Sequence, residues 1–195
     1  MYLFYNKLID IIIKEIIPKT KKSVLKGNKI FGAAIIDKKS LSTLTVGCNN
    51  ELSNPLFHGE IVTLNQFFKL KFNNKINVSD CIFLSTHEPC SLCLSGITWS
   101  GFNNFYYFFP YSKTKTNFNI PHDLNILNKI FRIKNGKYIP KNDYWKSYSI
   151  IKEINKINIK DREKMNIKIH KINKEYENLS KLYQKNKKNN LIPLN

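Results

Sequence analysis

Apolar residues along the chain fall into blocks of two different periods. Phe4, Leu8, Ile11, Ile12 and Ile16 recur at helical spacing over residues 2–17, which predicts an amphipathic helix, and Pro18 with the polar TKKS beyond it is expected to end that helix. IFGAAIID (30–37) and LSTLTVGC (41–48) are short, rich in β-branched residues and joined by polar DKKS, so they predict a hairpin. EIVTLNQFFKL (60–70) sets Ile61, Leu64, Phe67 and Phe68 on one side of a helix. CIFLST (81–86) and NFYYFFP (104–110) are continuous apolar runs, the mark of strands buried on both faces. Between them PCSLCLSGITWSG (89–101) suits a helix with Pro89 at its first position, and PHDLNILNKIF (121–131) suits another. Strand, helix, strand, helix implies parallel neighbours with crossover helices, hence a three-layer α/β/α domain. In such sheets ligands lie beyond the carboxyl ends of the strands, where THEPC begins.

The texture changes near residue 135. Beyond it charge is about twice as dense, and Met165, Ile169, Ile172, Tyr176, Leu179 and Tyr183 form an apolar seam on a long charged helix. The chain therefore divides into a domain over 1–135 and a basic helical extension over 136–195. The seam is too short for a coiled coil. It is expected to pack on its own domain, a contact with a second copy being the other outcome.

Composition narrows the class without naming a function. A length of 195 residues, with 42% hydrophobic, allows one domain and an appendage. The net charge of +18 suits a nucleic-acid partner, but a Lys, Asn and Ile bias runs along the whole chain, and charge alone identifies no partner. The first 17 residues are broken by Lys7, Asp10, Lys14 and Glu15, short of the ~18 apolar residues of a membrane span, and no small-residue cleavage site follows. Four cysteines, two of them closely spaced, do not make a secreted disulfide framework. A reducing, cytoplasmic location without membrane attachment is expected.

The chemistry lies in THEPCSLC (86–93). Cys90 and Cys93, at i and i+3, face the same way, and the positive end of the helix dipole favours their thiolates. Two thiolates on one face are half a zinc site. Three completions compete: four cysteines, with Cys48 and Cys81 joining; a redox Cys-x-x-Cys acting alone; or an upstream histidine. NPLFHGEI (54–61) offers His58 and Glu60 at the start of another helix. His58 with Cys90 and Cys93 makes three ligands and leaves a fourth position for water, the ligand count of a catalytic zinc. Zinc lowers the pKa of bound water, and Glu60 is placed to take and return protons. His87, His122 and His170 are assigned no chemistry.

The pattern His58-Gly59-Glu60 with Pro89-Cys90-Ser91-Leu92-Cys93 resembles the zinc-dependent cytidine-deaminase-like superfamily, whose signature is H-x-E…P-C-x-x-C. FGAAIID looks like its first strand, GCNN the end of its second, and STHEPCSLCLSGITWSG its ligand helix, so the resemblance covers roughly residues 1–135. It implies a three-layer fold with a mixed central sheet and hydrolytic deamination. His58, Cys90 and Cys93 would hold Zn2+, Glu60 would shuttle protons, and water activated at the metal would attack the amine-bearing ring carbon, releasing ammonia. Asn49, with Asn50 as the alternative, would contact substrate. His-Gly-Glu is similar to cytosine deaminases, and Ile97-Thr98-Trp99 looks like the guanine-deaminase branch. The segment FPYSKTKTNFNIPHD departs from the short glycine-rich loop of the tRNA adenosine deaminases. A free base or nucleoside is therefore the expected substrate, with tRNA as the runner-up and a non-catalytic zinc scaffold behind both. Relatives imply a homodimer. Tyr144 and Trp145 are candidates for a lid or for sealing the helix against the sheet.

Overall fold

The structure is a computed structural model that describes residues 1–74 and 76–194, without the side chains of residues 71–74. The N-terminal helix does not stop at Pro18. It runs as α1 (Tyr2–Ile11), a π-helical turn (Ile12–Ile16) and α2 (Ile17–Leu25), with the Ile17 N–H donating to Ile12 O. Pro18 stands in the first turn of α2, directly after the wide turn. That is where a missing N–H and a fixed φ are tolerated, so the expected break becomes a shift in helical phase. The shift keeps Ile16, Ile17, Thr20 and Val24 buried on the continuation of the α1 face.

Five strands form one mixed sheet in the order β2-β1-β3-β4-β5. β1 (Gly32–Asp37) and β2 (Thr43–Cys48) are the expected hairpin, antiparallel with Ala34 opposite Val46. β1 also pairs antiparallel with β3 (Cys81–His87), placing Ala33 opposite Ser85. β4 (Asn104–Phe109) runs parallel to β3, with His87 opposite Phe109, and β5 (Lys146–Ser149) runs parallel to β4. All seven residues of β3 are buried, in keeping with its central place and its apolar run.

Each face of the sheet carries helices. On one side, α3 (Gly59–Asn74) and α4 (Ser91–Trp99) pack Leu64, Phe67 and Ile97 against Ala33, Ile35, Phe83 and Phe105. On the other, α1 and α2 meet α8 (Ile159–Asn186) over Ala34, Ile36, Ile82 and Leu84. Burying an aliphatic or aromatic side chain of this kind contributes ~1.5–3 kcal/mol. The seam of α8 turns inward, with Met165, Ile172, Tyr176, Leu179 and Tyr183 all buried. Lys168 on α8 pairs with Asp10 on α1 at 2.8 Å, and Ser180 donates to Phe118 O at 3.1 Å. The segment beyond residue 135 thus supplies both the fifth strand and a covering helix. Between β4 and β5 lie α5 (Tyr111–Asn117) and α6 (His122–Lys129), and α7 (Ile150–Ile154) follows β5. No helix among the described residues is long and apolar enough to cross a membrane.

Candidate metal centre and active site

Two helix starts bring the chemistry together. β3 ends at His87, and Cys90 is the N-cap of α4, with extended backbone. Pro89 therefore precedes the cap and does not occupy the first helical position expected for it. Its fixed φ stiffens the entry, and Cys93 falls in the first turn, fully buried. On the second helix, Gly59 opens α3 against β1. A Cβ there would lie 2.9 Å from both Gly32 Cα and Phe31 O, so only glycine permits this approach. Gly59 thereby seats His58 and Glu60 over the ends of the strands.

His58 Nδ1 lies 3.4 Å from Cys90 Sγ and 3.6 Å from Cys93 Sγ, and the two sulfurs are 3.6 Å apart. Tetrahedral ligation, with Zn–S near 2.3 Å and Zn–N near 2.05 Å, requires about 3.8 Å between sulfurs and about 3.6 Å between sulfur and nitrogen. The three atoms stand at zinc-ligating separations and form a cluster of the right donor types. Cys48 and Cys81 take no part. Cys48 Sγ lies against Lys19 O, and Cys81 Sγ against Asn77 O within the core, which removes the four-cysteine completion.

Electrostatics of the cluster suit a cation. Hydrogen bonding with Cys93 holds the Cys90 thiol well below its usual value, against the opposing effect of burial. Burial pushes the Cys93 thiol up. Burial pulls His58 down, but its hydrogen bond and charge interaction with Cys90 outweigh that and push it up to about 9. Glu60 is raised by burial and then by the Cys90 charge. Its Oε1 accepts from Ser85 Oγ at 2.8 Å, and its Oε2 lies 3.3 Å from Cys93 Sγ.

Behind the cluster is a buried polar network. Glu51 Oε1 pairs with Lys29 Nζ at 2.7 Å and lies 3.7 Å from His58 Nε2. Its Oε2 accepts from Asn49 Nδ2 at 2.7 Å, while Asn49 Oδ1 accepts the Gly59 N–H at 2.6 Å. Asn49, expected at the substrate, is fully buried with both ends of its amide engaged. It aligns the start of α3. Asn50 is exposed, its N–H bonded to Phe57 O. Neither residue lines the cavity beside the metal ligands.

That cavity measures about 250 Å³. His58, Cys90, Lys29, Glu51 and Asp123 supply its polar wall, while Phe31, Leu56, Ile120, Ile126 and the C-terminal Ile192–Leu194 supply the apolar one. Lys29, Glu51 and Asp123 were not legible as site residues. Each comes from a different loop or helix start, and no local spacing ties it to the ligands. His122 also reaches the cavity. His87 does not: it is buried against Phe31, Phe109, Phe118 and Tyr176. Tyr144 is exposed and Trp145 packs on Phe105. Both lie in a cleft by Asn103 and Asn104, at the opposite end of β4 from the ligands.

A family model described as the cytidine and deoxycytidylate deaminase zinc-binding region matches residues 10–109. The chain belongs to that family. The deaminase matches no curated protein sequence. Among solved structures, it shares its fold with a protein in complex with 2,6-diaminopurine, at 13% identity and a TM-score of 0.51, covering 84% of this chain and 78% of that one. A guanine deaminase from Nitrosomonas europaea is also similar, at 13% identity and a TM-score of 0.49, covering 82% of this chain and 81% of that one. A tRNA deaminase described for A-to-I editing at the wobble position has 14% identity and a TM-score of 0.48, covering 68% of this chain and 92% of that one. The deaminase is accordingly a zinc-dependent hydrolase, and His58, Cys90 and Cys93 fit Zn2+.

Proposed function

We propose that this deaminase acts on a free nucleobase or nucleoside of cytosine or guanine type, and that Glu60 is its proton-transfer residue. The observation that carries the reading is the cavity. At about 250 Å³ it is smaller than the 300–1,000 Å³ common for drug-sized ligands. Leu56, Ile126 and Ile192–Leu194 close around it. Recognition of tRNA draws much of its strength from phosphate contacts by Lys and Arg, whereas among the described residues the one Lys or Arg lining this cavity is Lys29, paired with Glu51.

Zinc, when bound, supplies Lewis-acid activation of the attacking water. The chain's own residues do the rest. Glu60, turned toward the ligands and steadied by Ser85, takes a proton from the attacking water and returns it to the departing amine. Glu51 faces His58 Nε2 at 3.7 Å, beyond hydrogen-bond distance, so its carboxylate supports the imidazole by charge, in the place where carboxylates commonly back a metal-bound imidazole. Phe31 offers an aromatic wall, and the apolar closure excludes bulk water. The expected homodimer would use the exposed face of α4, where Trp99 is 91% exposed with Leu92 one side of it. The use of Cys90 and Cys93 as metal ligands suits a reducing, cytoplasmic setting.

The test presents zinc-loaded protein with cytosine, guanine, adenine, their nucleosides and a tRNA anticodon stem-loop, and measures ammonia. Release from a base or nucleoside, with none from the stem-loop, is the expected result. Release from the stem-loop alone would overturn the reading.

A further inference from the structure

We infer that Lys29 is a substrate-binding residue that selects bases carrying a ring carbonyl, with Glu51 holding its charge in place. This rests on reading the cavity as a base-binding site. Lys29 lies between α2 and β1, two residues before Phe31, and both side chains line the cavity. Its side chain is 8% exposed, and that of Glu51 is 1% exposed. An ammonium carries three N–H donors. Among the described residues, Glu51 is the one hydrogen-bond partner of this ammonium.

Glu51 is itself fully engaged. One oxygen takes Asn49, and the other serves Lys29 and faces His58. It therefore satisfies one donor of Lys29 and leaves the others to whatever fills the cavity. Leaving buried donors unmet is costly, more so when they are charged. The apolar lining from Phe31, Leu56, Ile120 and Ile192 provides no side-chain acceptor, and Asp123, the other carboxylate of the wall, makes no hydrogen bond or ion pair with Lys29 among the described residues. A ligand that brings a carbonyl oxygen meets this need with a charge-assisted hydrogen bond. Cytosine and guanine carry such an oxygen, and adenine carries ring nitrogens alone. The same pair that steadies His58 thus also reads the base, which ties selectivity to the metal site through a single carboxylate.

The expected discrimination is that of one charged hydrogen bond, ~10–100-fold in affinity. The experiment measures calorimetric binding to zinc-loaded Glu60→Gln protein, which spares the ligand from turnover. The probes are cytosine against 4-aminopyrimidine and guanine against 2-aminopurine, pairs that differ by the lactam carbonyl and its ring N–H. Lys29→Met is then added alone and together with Glu51→Gln, the double change leaving no unpaired carboxylate. Zinc content and melting temperature are recorded for each. Preference for the carbonyl partner that collapses to within about threefold in both variants supports the assignment. Equal binding of the partners, or a preference that survives loss of Lys29 in folded, zinc-loaded protein, overturns it while base binding stands. No binding of any base, together with no ammonia release by the unmodified protein, overturns the base-binding reading and this inference together.

Discussion

Replacing Glu51 by Gln keeps its shape and removes its charge, and the consequence follows from burial. Lys29 Nζ and Glu51 Oε1 are 2.7 Å apart with side chains 8% and 1% exposed. At that separation and an effective dielectric near 20, their gross attraction is about 6 kcal/mol. Desolvation offsets much of it in the intact pair, but losing one partner strands the other and costs about 3–5 kcal/mol. For a chain of this size that corresponds to a fall of ~6–20 °C in melting temperature. The same change weakens the support of His58, for which a loss of ~10–100-fold in zinc affinity is expected. Circular dichroism melts of zinc-loaded and zinc-free protein read the first effect, and competition with a chelator of known affinity reads the second. Adding Lys29→Met to Glu51→Gln should recover most of the melting temperature while the zinc deficit persists. A single variant melting within ~2 °C of the parent with unchanged zinc affinity would refute the reasoning, since that is the shift of a surface change.

Further outcomes follow from the same geometry. Glu60→Gln should lower kcat by ~10²–10⁴-fold with zinc content unchanged, read by ammonia release and metal analysis; loss of the metal would instead make Glu60 structural. Cys93→Ser should abolish stoichiometric zinc, whereas Cys81→Ser, remote from the cluster, should retain it. Burial holds His87 well below its usual value, so the folded state refuses a proton that the unfolded state takes below about pH 6.5. Stability is therefore full above that pH and falls as pH drops, by up to ~1.4 kcal/mol per unit. Urea unfolding at pH 7.5, 6.5 and 5.5 should show this slope, flattened in His87→Gln. Trp99→Glu should convert a dimer to a monomer in sedimentation; a native monomer would dispose of the proposed contact.

The His58, Cys90 and Cys93 cluster was legible as a candidate because its residues lie at two helix starts beside buried strands, and both starts carry short, dense motifs. His58, Glu60, Cys90 and Cys93 could be read from spacing and coordination chemistry, and the hairpin and the β3-α4-β4 unit from periodicity. Two errors came from local rules overridden by tertiary context. Pro18 reads as a stop, yet the π-turn before it changes the helical phase and lets the buried face continue. KSYS reads as part of a charged tail because β5 is a short edge strand with no fully buried residue, so alternation never develops. Lys29, Glu51 and Asp123 were illegible for a different reason: single charged residues in loops or at a helix start look solvated until the fold gathers them around one cavity. Asn49 shows the converse. Its place after the second strand was apparent, but only the structure reveals that both ends of its amide are engaged, by Glu51 and Gly59.

The most direct test is ammonia release from cytosine, guanine, adenine and their nucleosides by protein reconstituted with one zinc per chain, beside metal-stripped protein and the Glu60→Gln variant. The account predicts release from a carbonyl-bearing base or its nucleoside, lost on stripping, restored by zinc, and at least ~100-fold slower in the variant. Zinc bound stoichiometrically at His58, Cys90 and Cys93 with no release from any of these substrates would contradict it.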